Sequence, residues 1–339
     1  MFKTLILMLP MLLHSYAILG QELTIATYNI FFLDAGISQE RRENLQRVIS
    51  ELDADVIAFQ EISNPAALRN ILPEDYTIAM IDDPQEVQEL ALAVRAPLRI
   101  LSQRYAWPEP SFDNAFPRSR DLLHVSVSAQ GETLHFLVHH AKSRRGGRMR
   151  TDPRREQAAE LIVRYIRNEL AQKNVIVLGD FNDNPDDRSL NILEYGRSDV
   201  SGGIDVEEDS FLFNTTEALL DDNICSHGYS YLYGDEKAEI FDPSVPGSSR
   251  ENNRWRNRTY DYRRDVRVKA ILLDQILVSL NLKKAVRDVG VFNRTIAVRG
   301  SRSLIEFIEG QLVYHKRGSL PSDHVPVWIR LDLTAVRDR

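Results

Sequence analysis

Short apolar segments of strand length recur along the chain. Residues 23–29 alternate apolar and polar side chains, which is the pattern of a strand with one buried face. Residues 56–59 form a continuous apolar run, which is typical of a strand buried on both faces. A chain with many such segments has to build its core around β-sheets. Further strands are predicted at residues 122–128, 134–138, 175–178, 271–278 and 325–333.

Two amphipathic helices are predicted between these strands. The first covers residues 38–52, with Ser38 as its N-cap and apolar side chains at helical spacing. The second begins at Asp152-Pro153, because proline suits the first helical turn. We find no internal repeat and no Gly/Ser-rich linker. Two long loops are expected, at 198–209 and 235–262. We predict a mixed α/β fold with one large sheet-based core.

The first twenty residues have the pattern of a secretory signal peptide. Lys3 supplies a positive start, residues 5–13 are apolar apart from Pro10, and Ser15 and Ala17 fit a cleavage site. This run is shorter than the ~20 residues needed to span a bilayer. The alternative is a membrane anchor or a buried first helix. Cleavage would leave residues 21–339 as a single domain, secreted or periplasmic, with no transmembrane anchor.

Composition limits the classes of function. The chain has 42 basic and 49 acidic side chains and a net charge of −7, so bulk electrostatics alone does not favour binding to nucleic acid. A polyanionic substrate therefore has to be met by a local basic patch or by a metal ion. The one cysteine, Cys225, cannot form an internal disulfide or build a thiolate metal site.

Six predicted strands end in, contain or follow polar groups that a buried strand does not need. A carboxylate after a strand is, by itself, more often a loop residue or a helix cap. Asp274 is harder to dismiss, because it lies inside the apolar run 272–277 and its burial without a partner would cost several kcal/mol. We therefore expect Asp274 to be hydrogen-bonded or paired. The six elements carry Asn29, Glu61, His140, Asp180 with Asn182, Asp274, and the pair Asp323-His324.

Together these side chains suit the hydrolysis of a phosphate ester. That reaction needs negative charge neutralised, a water deprotonated and a leaving oxygen stabilised. Oxygen ligands suit a hard divalent cation such as Mg²⁺ or Mn²⁺, and the candidates are Asn29, Glu61 and Asp323. No Walker loop, GxGxxG, GxSxG or HExxH motif supports another class of enzyme.

The other candidates supply proton transfer and phosphate binding. Asp180 and Asn182 would orient and activate the attacking water. His140 and His324 would bind phosphoryl oxygens or donate a proton.

The segments GDFND at 179–183 and SDH at 322–324 resemble the motifs of the endonuclease/exonuclease/phosphatase superfamily, which includes deoxyribonucleases, abasic-site endonucleases, sphingomyelinases and inositol-phosphate phosphatases. The resemblance begins at ATYN, residues 26–29, and so covers nearly the whole mature chain. It implies a four-layered α/β sandwich, with two packed mixed β-sheets flanked by helices and the active site at one edge. Within this superfamily, the chain is similar to a deoxyribonuclease-like, exported member of bacterial type.

The resemblance also implies a role for each matching residue. It assigns metal binding to Asn29, Glu61 and Asp323. It assigns catalysis to His140, Asp180, Asn182, Asp274 and His324, with Asp274 orienting His324 beside the scissile phosphate.

Two departures from the family pattern matter. Abasic-site endonucleases have a tyrosine where His140 stands and an aspartate shortly after the first asparagine, whereas Ile30 and Phe31 follow Asn29 here. DNA repair is therefore disfavoured. In addition, no carboxylate partner of His140 can be matched, and Glu89 is a candidate only.

Two basic clusters, at residues 142–155 and 254–269, bear on the substrate. Basic side chains for phosphates, interleaved with aromatic ones for bases, are expected of a nucleic-acid groove, although a solvated charged loop is the alternative. The sequence therefore favours a metal-dependent phosphodiesterase acting on DNA or RNA, with no stable protein partner. A phosphoesterase for phospholipid headgroups or inositol phosphates is the alternative, but no clear apolar hairpin for membrane contact is visible. A non-catalytic binding module is the third possibility. The substrate-binding candidates are Lys142, Arg144, Arg145, Arg148, Trp255 and Arg256.

Overall fold

The computed structural model describes residues 22–83, 86–117, 120–203, 208–221, 224–228 and 271–337. The predicted signal peptide, residues 1–20, lies outside the described residues, as do the predicted loop at 235–262, Trp255 and Arg256. No helix within the described ranges is long and apolar enough to cross a membrane.

Fourteen strands are present in the described part of the chain. In chain order they are β1 (Leu23–Leu33), β2 (Val56–Ile62), β3 (Tyr76–Met80), β4 (Glu89–Arg95), β5 (Arg99–Tyr105), β6 (Leu123–Ala129), β7 (Glu132–His140), β8 (Val175–Asp180), β9 (Leu212–Asn214), β10 (Asp274–Ser279), β11 (Val286–Val291), β12 (Leu304–Ile308), β13 (Gln311–Lys316) and β14 (Val327–Leu331).

The helices of the described ranges are mostly short. They are α1 (Gln39–Leu52), α2 (Pro65–Ile71), α3 (Arg148–Glu169), α4 (Arg188–Tyr195), α5 (Glu217–Asp221), α6 (Thr295–Val298) and α7 (Thr334–Arg337), with 3₁₀ turns at Pro110–Phe112 and Leu280–Ala285. Ser38 caps α1 as predicted, because its side chain accepts a hydrogen bond from the backbone N–H of Arg41.

Two six-stranded mixed sheets form the core of the molecule. The first has the order β11-β14-β1-β2-β4-β3 and the second the order β5-β6-β7-β8-β10-β9. Their facing sides bury one apolar cluster, which includes Ile25, Val125 and Ile176. A second cluster lies between the first sheet and α1, α2 and α6, and a third between the second sheet and α3 and α4. The predicted four-layered α/β sandwich is therefore confirmed.

Helix α3 differs from its prediction. It begins at Arg148 rather than at Asp152-Pro153, so Pro153 lies inside the helix. The amphipathic pattern does not show this extra turn, because its first residue is a buried arginine that pairs with Asp187 on another loop.

Strand ends also differ from the sequence pattern in places that matter for the site. β1 continues to Leu33 and β2 to Ile62, so Glu61 lies within a strand rather than after it. Between the pairs Asn29–Gln60 and Leu33–Ile62, four steps along β1 correspond to two along β2. This β-bulge contains three residues with left-handed backbone: Phe31 and Phe32, each at φ 49°, and Glu61 at φ 64°. Such conformations cost about 1–3 kcal/mol each, and bulges of this kind re-aim side chains beside active sites.

Candidate active site

The predicted site residues meet where the two sheets share an edge. β1 and β2 run parallel in the first sheet, and β7 and β8 run parallel in the second, so all four present their carboxyl ends there. In the second sheet Asp180 is paired in register with His140 on one side and with Asp274 on the other. Three strands of one sheet thus place three functional side chains next to each other.

Asn29 and Asp180 join the two sheets. Nδ2 of Asn29 donates to Oδ2 of Asp180 at 3.0 Å, across the gap between β1 and β8. The other carboxylate oxygen, Oδ1, accepts from the backbone N–H of Asn182 at 2.9 Å. Nδ2 of Asn182 donates to the carbonyl of Ala141 at 3.2 Å, which ties the segment after β8 to the segment after β7. Asp180 is therefore held by contacts on both sides of the sandwich.

His324 is oriented by Asp274, the first residue of β10. Its Nδ1 lies 2.7 Å from Oδ2 of Asp274, and the hydroxyl of Ser226 donates to the same oxygen at 2.6 Å. The structure thus pairs Oδ2 of the buried Asp274 carboxylate with two donors, as the sequence predicted. Burial lowers the pKa of His324, but Asp274 and Asp180 outweigh it and raise the pKa to about 10. The imidazole is therefore a cation at neutral pH, with Nε2 3.9 Å from Oδ2 of Asp180.

His140 lies between two carboxylates. Its Nε2 is 3.4 Å from Oδ2 of Asp180 and 3.8 Å from Oε1 of Glu61. Burial and the nearby Arg120 lower its pKa well below the ordinary value, so this imidazole is neutral. The candidate partner Glu89 lies elsewhere, since its carboxylate accepts from the backbone N–H of Asp83. Glu61 and Asp180 take the position that the sequence left open.

Glu61 is oriented by two residues that the sequence did not single out. Nε2 of Gln88 donates to Oε1 of Glu61 at 3.1 Å. The side-chain oxygen Oε1 of Gln88 accepts two bonds from Arg120, one of them from Nε at 3.1 Å. Burial raises the pKa of Glu61 to about 7, and Asp323 adds to the shift, while Arg120 opposes it. Arg120 and His324 thus offset only part of the effect of burial and of the neighbouring carboxylates on Glu61.

Asp323 has both a cationic and a neutral neighbour. Its Oδ2 lies 2.7 Å from Nη2 of Arg302. The ring of His227 lies 4.6 Å from that of His324, centroid to centroid, and burial together with the His324 cation lowers its pKa to about 4. Burial alone would raise the pKa of Asp323, but His227, His324 and Arg302 bring it below its ordinary value, so it is a carboxylate at neutral pH.

The donor set suits a divalent cation. Within the described residues, two groups of three side chains bring one ligand atom each to within 4.8 Å of the others: His227 with Asp323 and His324, and Asp180 with Asp274 and His324. Asn29 and Glu61 border the second group, since Nδ2 of Asn29 bonds Asp180 and Oε1 of Glu61 lies 3.8 Å from Nε2 of His140. A concentration of buried carboxylates, with Arg120 and Arg302 half-buried at its rim, is chemically suited to an oxygen-preferring ion.

The basic segment after β7 is only partly available to a substrate. Arg145 is exposed and Lys142 is half-buried. Arg148 is buried and pairs with Asp152 at 3.1 Å and Asp187 at 2.8 Å, which corrects its assignment to the substrate. Arg144 likewise donates from Nε to the carbonyl of Asn182 at 2.7 Å and pairs with Asp183 and Asp187.

These arginines instead fasten the loop that carries Asn182. Arg155 pairs with Asp183 through Nε at 2.7 Å and donates from Nη1 to the carbonyl of Lys142 at 2.8 Å. The segments 141–148 and 181–187 are thereby held together by buried charge pairs. No sequence signal distinguishes Arg144 and Arg148 from the exposed arginines around them, because their partner Asp187 lies 43 and 39 positions away.

Comparisons with known proteins agree with this arrangement. A family model described as the endonuclease/exonuclease/phosphatase family matches residues 34–245. No curated protein sequence matches the chain.

Solved structures with the same fold include several of low sequence identity. TDP2 from D. rerio, complexed with a single-strand DNA product, is 19% identical over 91% of this chain and 98% of that chain, with a TM-score of 0.53. An endonuclease/exonuclease/phosphatase family protein from Bacteroides thetaiotaomicron is 18% identical over 92% and 98%, with a TM-score of 0.55. The human Nocturnin catalytic domain, with a bound sulfate anion, is 14% identical over 91% and 93%, with a TM-score of 0.50. At these identities the likeness establishes the fold.

Proposed function

Because the chain belongs to the endonuclease/exonuclease/phosphatase family, whose members are metal-dependent phosphoesterases, we propose that it hydrolyses the phosphodiester bonds of nucleic acid. One observation carries the proposal: Asp180 lies 3.9 Å from the cationic His324 and 3.4 Å from the neutral His140, in a site shared by both sheets. A base, a fixed cation and a neutral donor are the groups that phosphoester hydrolysis requires.

Asp180 is the base in this proposal. Burial raises its pKa to about 6, so it is ionised at neutral pH yet basic enough to accept the proton of a bound water. The water oxygen then forms its bond to phosphorus as the P–O ester bond breaks, and the departing oxygen takes a proton from solvent. Asn182, bound to Ala141 through its side chain, is positioned to orient a phosphoryl oxygen or the water.

His324 acts as a fixed positive charge. Since Asp274 and Asp180 keep its pKa near 10, it stays protonated throughout the reaction and donates to a phosphoryl oxygen, where negative charge develops. Asp274 sets the direction of the ring through Nδ1. His140 is neutral, so it can donate to a phosphoryl oxygen without adding charge.

A divalent cation, Mg²⁺ or Mn²⁺, would be held by Asn29, Glu61 and Asp323. When bound it would neutralise the phosphoryl oxygens and polarise the phosphorus. Gln88 orients the Glu61 carboxylate for this role. The side-chain oxygen Oδ1 of Asn29 is held by the backbone N–H of Phe31, which donates to it at 3.0 Å. Both ligands are thus fixed in advance of the ion.

Nucleic acid is favoured as the substrate on two grounds. Lys142 and Arg145 lie on the segment that follows His140, where they would meet a phosphate backbone. In addition, the similar TDP2 from D. rerio binds a single-strand DNA product. The pattern of residues 1–20 supports export, so the substrate would be nucleic acid outside the cytoplasm.

The test is a panel of substrates offered to the purified protein. Single-strand DNA, plasmid, RNA, sphingomyelin and inositol phosphates are each incubated with Mg²⁺, with Mn²⁺ and with chelator. Cleavage of nucleic acid that stops with chelator and in Asp180→Ala, but continues in the exposed control Asp199→Ala, supports the proposal. Turnover of lipid or inositol phosphates alone would replace it with the alternative phosphoesterase.

A further inference from the structure

Two consecutive phenylalanines stand in an unusual conformation directly after Asn29. Phe31 and Phe32 both have φ 49°, in the left-handed region that side-chain-bearing residues rarely adopt. Such strain persists where the surroundings over-determine it, and it concentrates at functional sites. Neither ring is fully buried. The chain thus holds two partly exposed aromatic rings in a costly conformation at the edge of the site.

Buried hydrogen bonds hold this segment in place. Nη2 of Arg41, a buried side chain of α1, donates to the carbonyl oxygens of Ile30 and Phe31, both at 2.6 Å. Its Nε donates to the carbonyl of Pro321 at 2.9 Å, two residues before Asp323. One arginine therefore fixes the phenylalanines relative to both ends of the proposed metal site.

The two rings continue into a larger apolar surface. The ring of Phe32 contacts that of Phe31 at 5.7 Å between centroids and that of Phe307, on β12, at 5.9 Å. Phe307 is 43% exposed. We call Phe31, Phe32 and Phe307 the aromatic shelf. A contiguous exposed apolar surface beside a charged site is typical of a binding surface.

Arg302 connects the shelf to the site. Its guanidinium carbon lies 5.7 Å from the centroid of the Phe31 ring, and its Nη2 lies 2.7 Å from Asp323. A positive group between an aromatic surface and a phosphate-hydrolysing centre matches a ligand that carries an anion at one end and a flat ring at the other.

We propose that the aromatic shelf binds the nucleobase of a nucleotide next to the scissile phosphate. The inference rests on the proposed function and names a subsite of it. Base stacking on aromatic side chains tolerates any base, because every base has a π-face. A ring seated on Phe32 and Phe307 would leave its phosphate beside Arg302 and Asp323.

The shelf is also apolar enough to contact a membrane, but its surroundings favour a base. The turn of the β12–β13 hairpin is Glu309-Gly310, and Glu309 is exposed, so the tip that would enter a bilayer carries a negative charge. Glu306 and His315 form an exposed pair at 3.0 Å on the same hairpin. The ring of Phe307 packs against that of Phe32 instead, so this side chain lies toward the site.

The experiment compares a normal oligonucleotide with one that lacks a base. With the cation-loaded full chain, KM and kcat are measured for a short single-strand DNA and for the same strand with an abasic nucleotide on either side of the mapped cleavage point. For the wild type we expect KM to rise about tenfold for one abasic position, with kcat within about twofold. For Phe307→Ala we expect KM for the normal strand to be about tenfold above the wild-type value. An abasic position should then raise the KM of this variant no further. Phe307→Tyr should retain the preference, and Leu101→Ala, exposed on β5, should behave as wild type.

The outcomes separate the two proposals. If nucleic acid is cleaved without any preference for the base-bearing strand, the proposed function stands, whereas the proposal that the shelf binds a base is wrong. A KM rise in Phe307→Ala that is equally large for normal and abasic strands overturns it as well, because the side chain then acts without the base. Absence of nucleic-acid cleavage, with binding to sphingomyelin vesicles that Phe307→Ala abolishes, overturns both and makes the shelf a membrane contact.

Discussion

Nδ1 of His324 lies 2.7 Å from Oδ2 of Asp274, and the hydroxyl of Ser226 bonds the same oxygen at 2.6 Å. Because Oδ2 of Asp274 accepts from both groups, the carboxylate is fixed in its orientation toward the His324 ring. The histidine is thereby held in one orientation with its charge directed at Asp180. The end of β8, the start of β10 and the segment before β14 thus combine into one charged unit.

Removal of the His324 imidazole should lower turnover strongly. His324→Ala is expected to reduce kcat by ~10²-fold or more, since a positioned charge beside the reacting phosphate is lost. Steady-state kinetics on the preferred substrate measures the effect, and circular dichroism checks that the variant is folded. His315→Ala, an exposed histidine, serves as the matched control. Equal kcat in His324→Ala and wild type would refute the assigned role.

Gln88 should set the affinity for the cation without touching the substrate. Gln88→Leu removes the donor to Glu61, and outer-shell changes of this kind weaken metal binding by about 10–100-fold. The dissociation constant is measured by calorimetry, or from the rise in Tm with added Mn²⁺. Gln103→Leu, on exposed β5, should leave both values unchanged. An unaltered dissociation constant in Gln88→Leu would mean that Glu61 needs no such support.

Arg148 should matter for stability rather than for substrate binding. Arg148→Ala leaves Asp152 and Asp187 short of a buried partner, so the free energy of unfolding should fall by about 3–5 kcal/mol. Urea denaturation measures the loss. The exposed Arg145→Ala should change stability by less than ~0.5 kcal/mol but flatten the salt dependence of nucleic-acid binding. If Arg148→Ala kept the wild-type stability but flattened the salt dependence of nucleic-acid binding, Arg148 would be a substrate-binding residue after all.

A histidine pair remote from the site should make the fold sensitive to acid. Nδ1 of His124 lies 2.9 Å from the Tyr165 hydroxyl, and Nε2 lies 3.0 Å from Nδ1 of His135. Burial lowers the pKa of His124 from 6.5 to about 4, and His135 and Arg104 add to the shift. The unfolded chain therefore binds more protons between pH 6.5 and pH 4, so the free energy of unfolding falls as the pH falls through that window.

The size of this effect can be measured directly. Allowing for solvent screening, the His124 contribution should be about 1–2 kcal/mol between pH 7 and pH 5, read from urea midpoints. His124→Phe should lose that part of the pH dependence, while His315→Ala should keep it. The same slope in His124→Phe and wild type would assign the acid sensitivity to other groups.

Local patterns were sufficient to predict most of the fold. Alternation in residues 23–29 and continuous apolar runs at 56–59 and 175–178 each mark one strand, and all three are observed. Polar residues at strand ends also indicated which side chains would meet, because parallel strands share an edge. Asp274 was the most informative of them, since only a partner makes its burial tolerable.

The remaining features depend on contacts between distant segments. Phe31 and Phe32 continue an apolar run, so nothing local distinguishes a bulge from a regular strand; Arg41, on a helix, determines it. Arg148 looks like any other basic residue until the loop at 181–187 brings Asp187 to it. Gln88 precedes β4 in a segment without a pattern, and its bond to Glu61 exists only because β4 pairs with β2.

The hydrogen bond between Asn29 and Asp180 has a consequence for the order of events in the cell. The two residues are 151 positions apart, and Ser322, whose hydroxyl donates to the Asn29 carbonyl, is 293 positions away from it. A ribosome that has made the first half of this chain has made no enzyme. The site is therefore incomplete throughout translation, and hydrolysis begins only after the segment that carries Ser322 has docked.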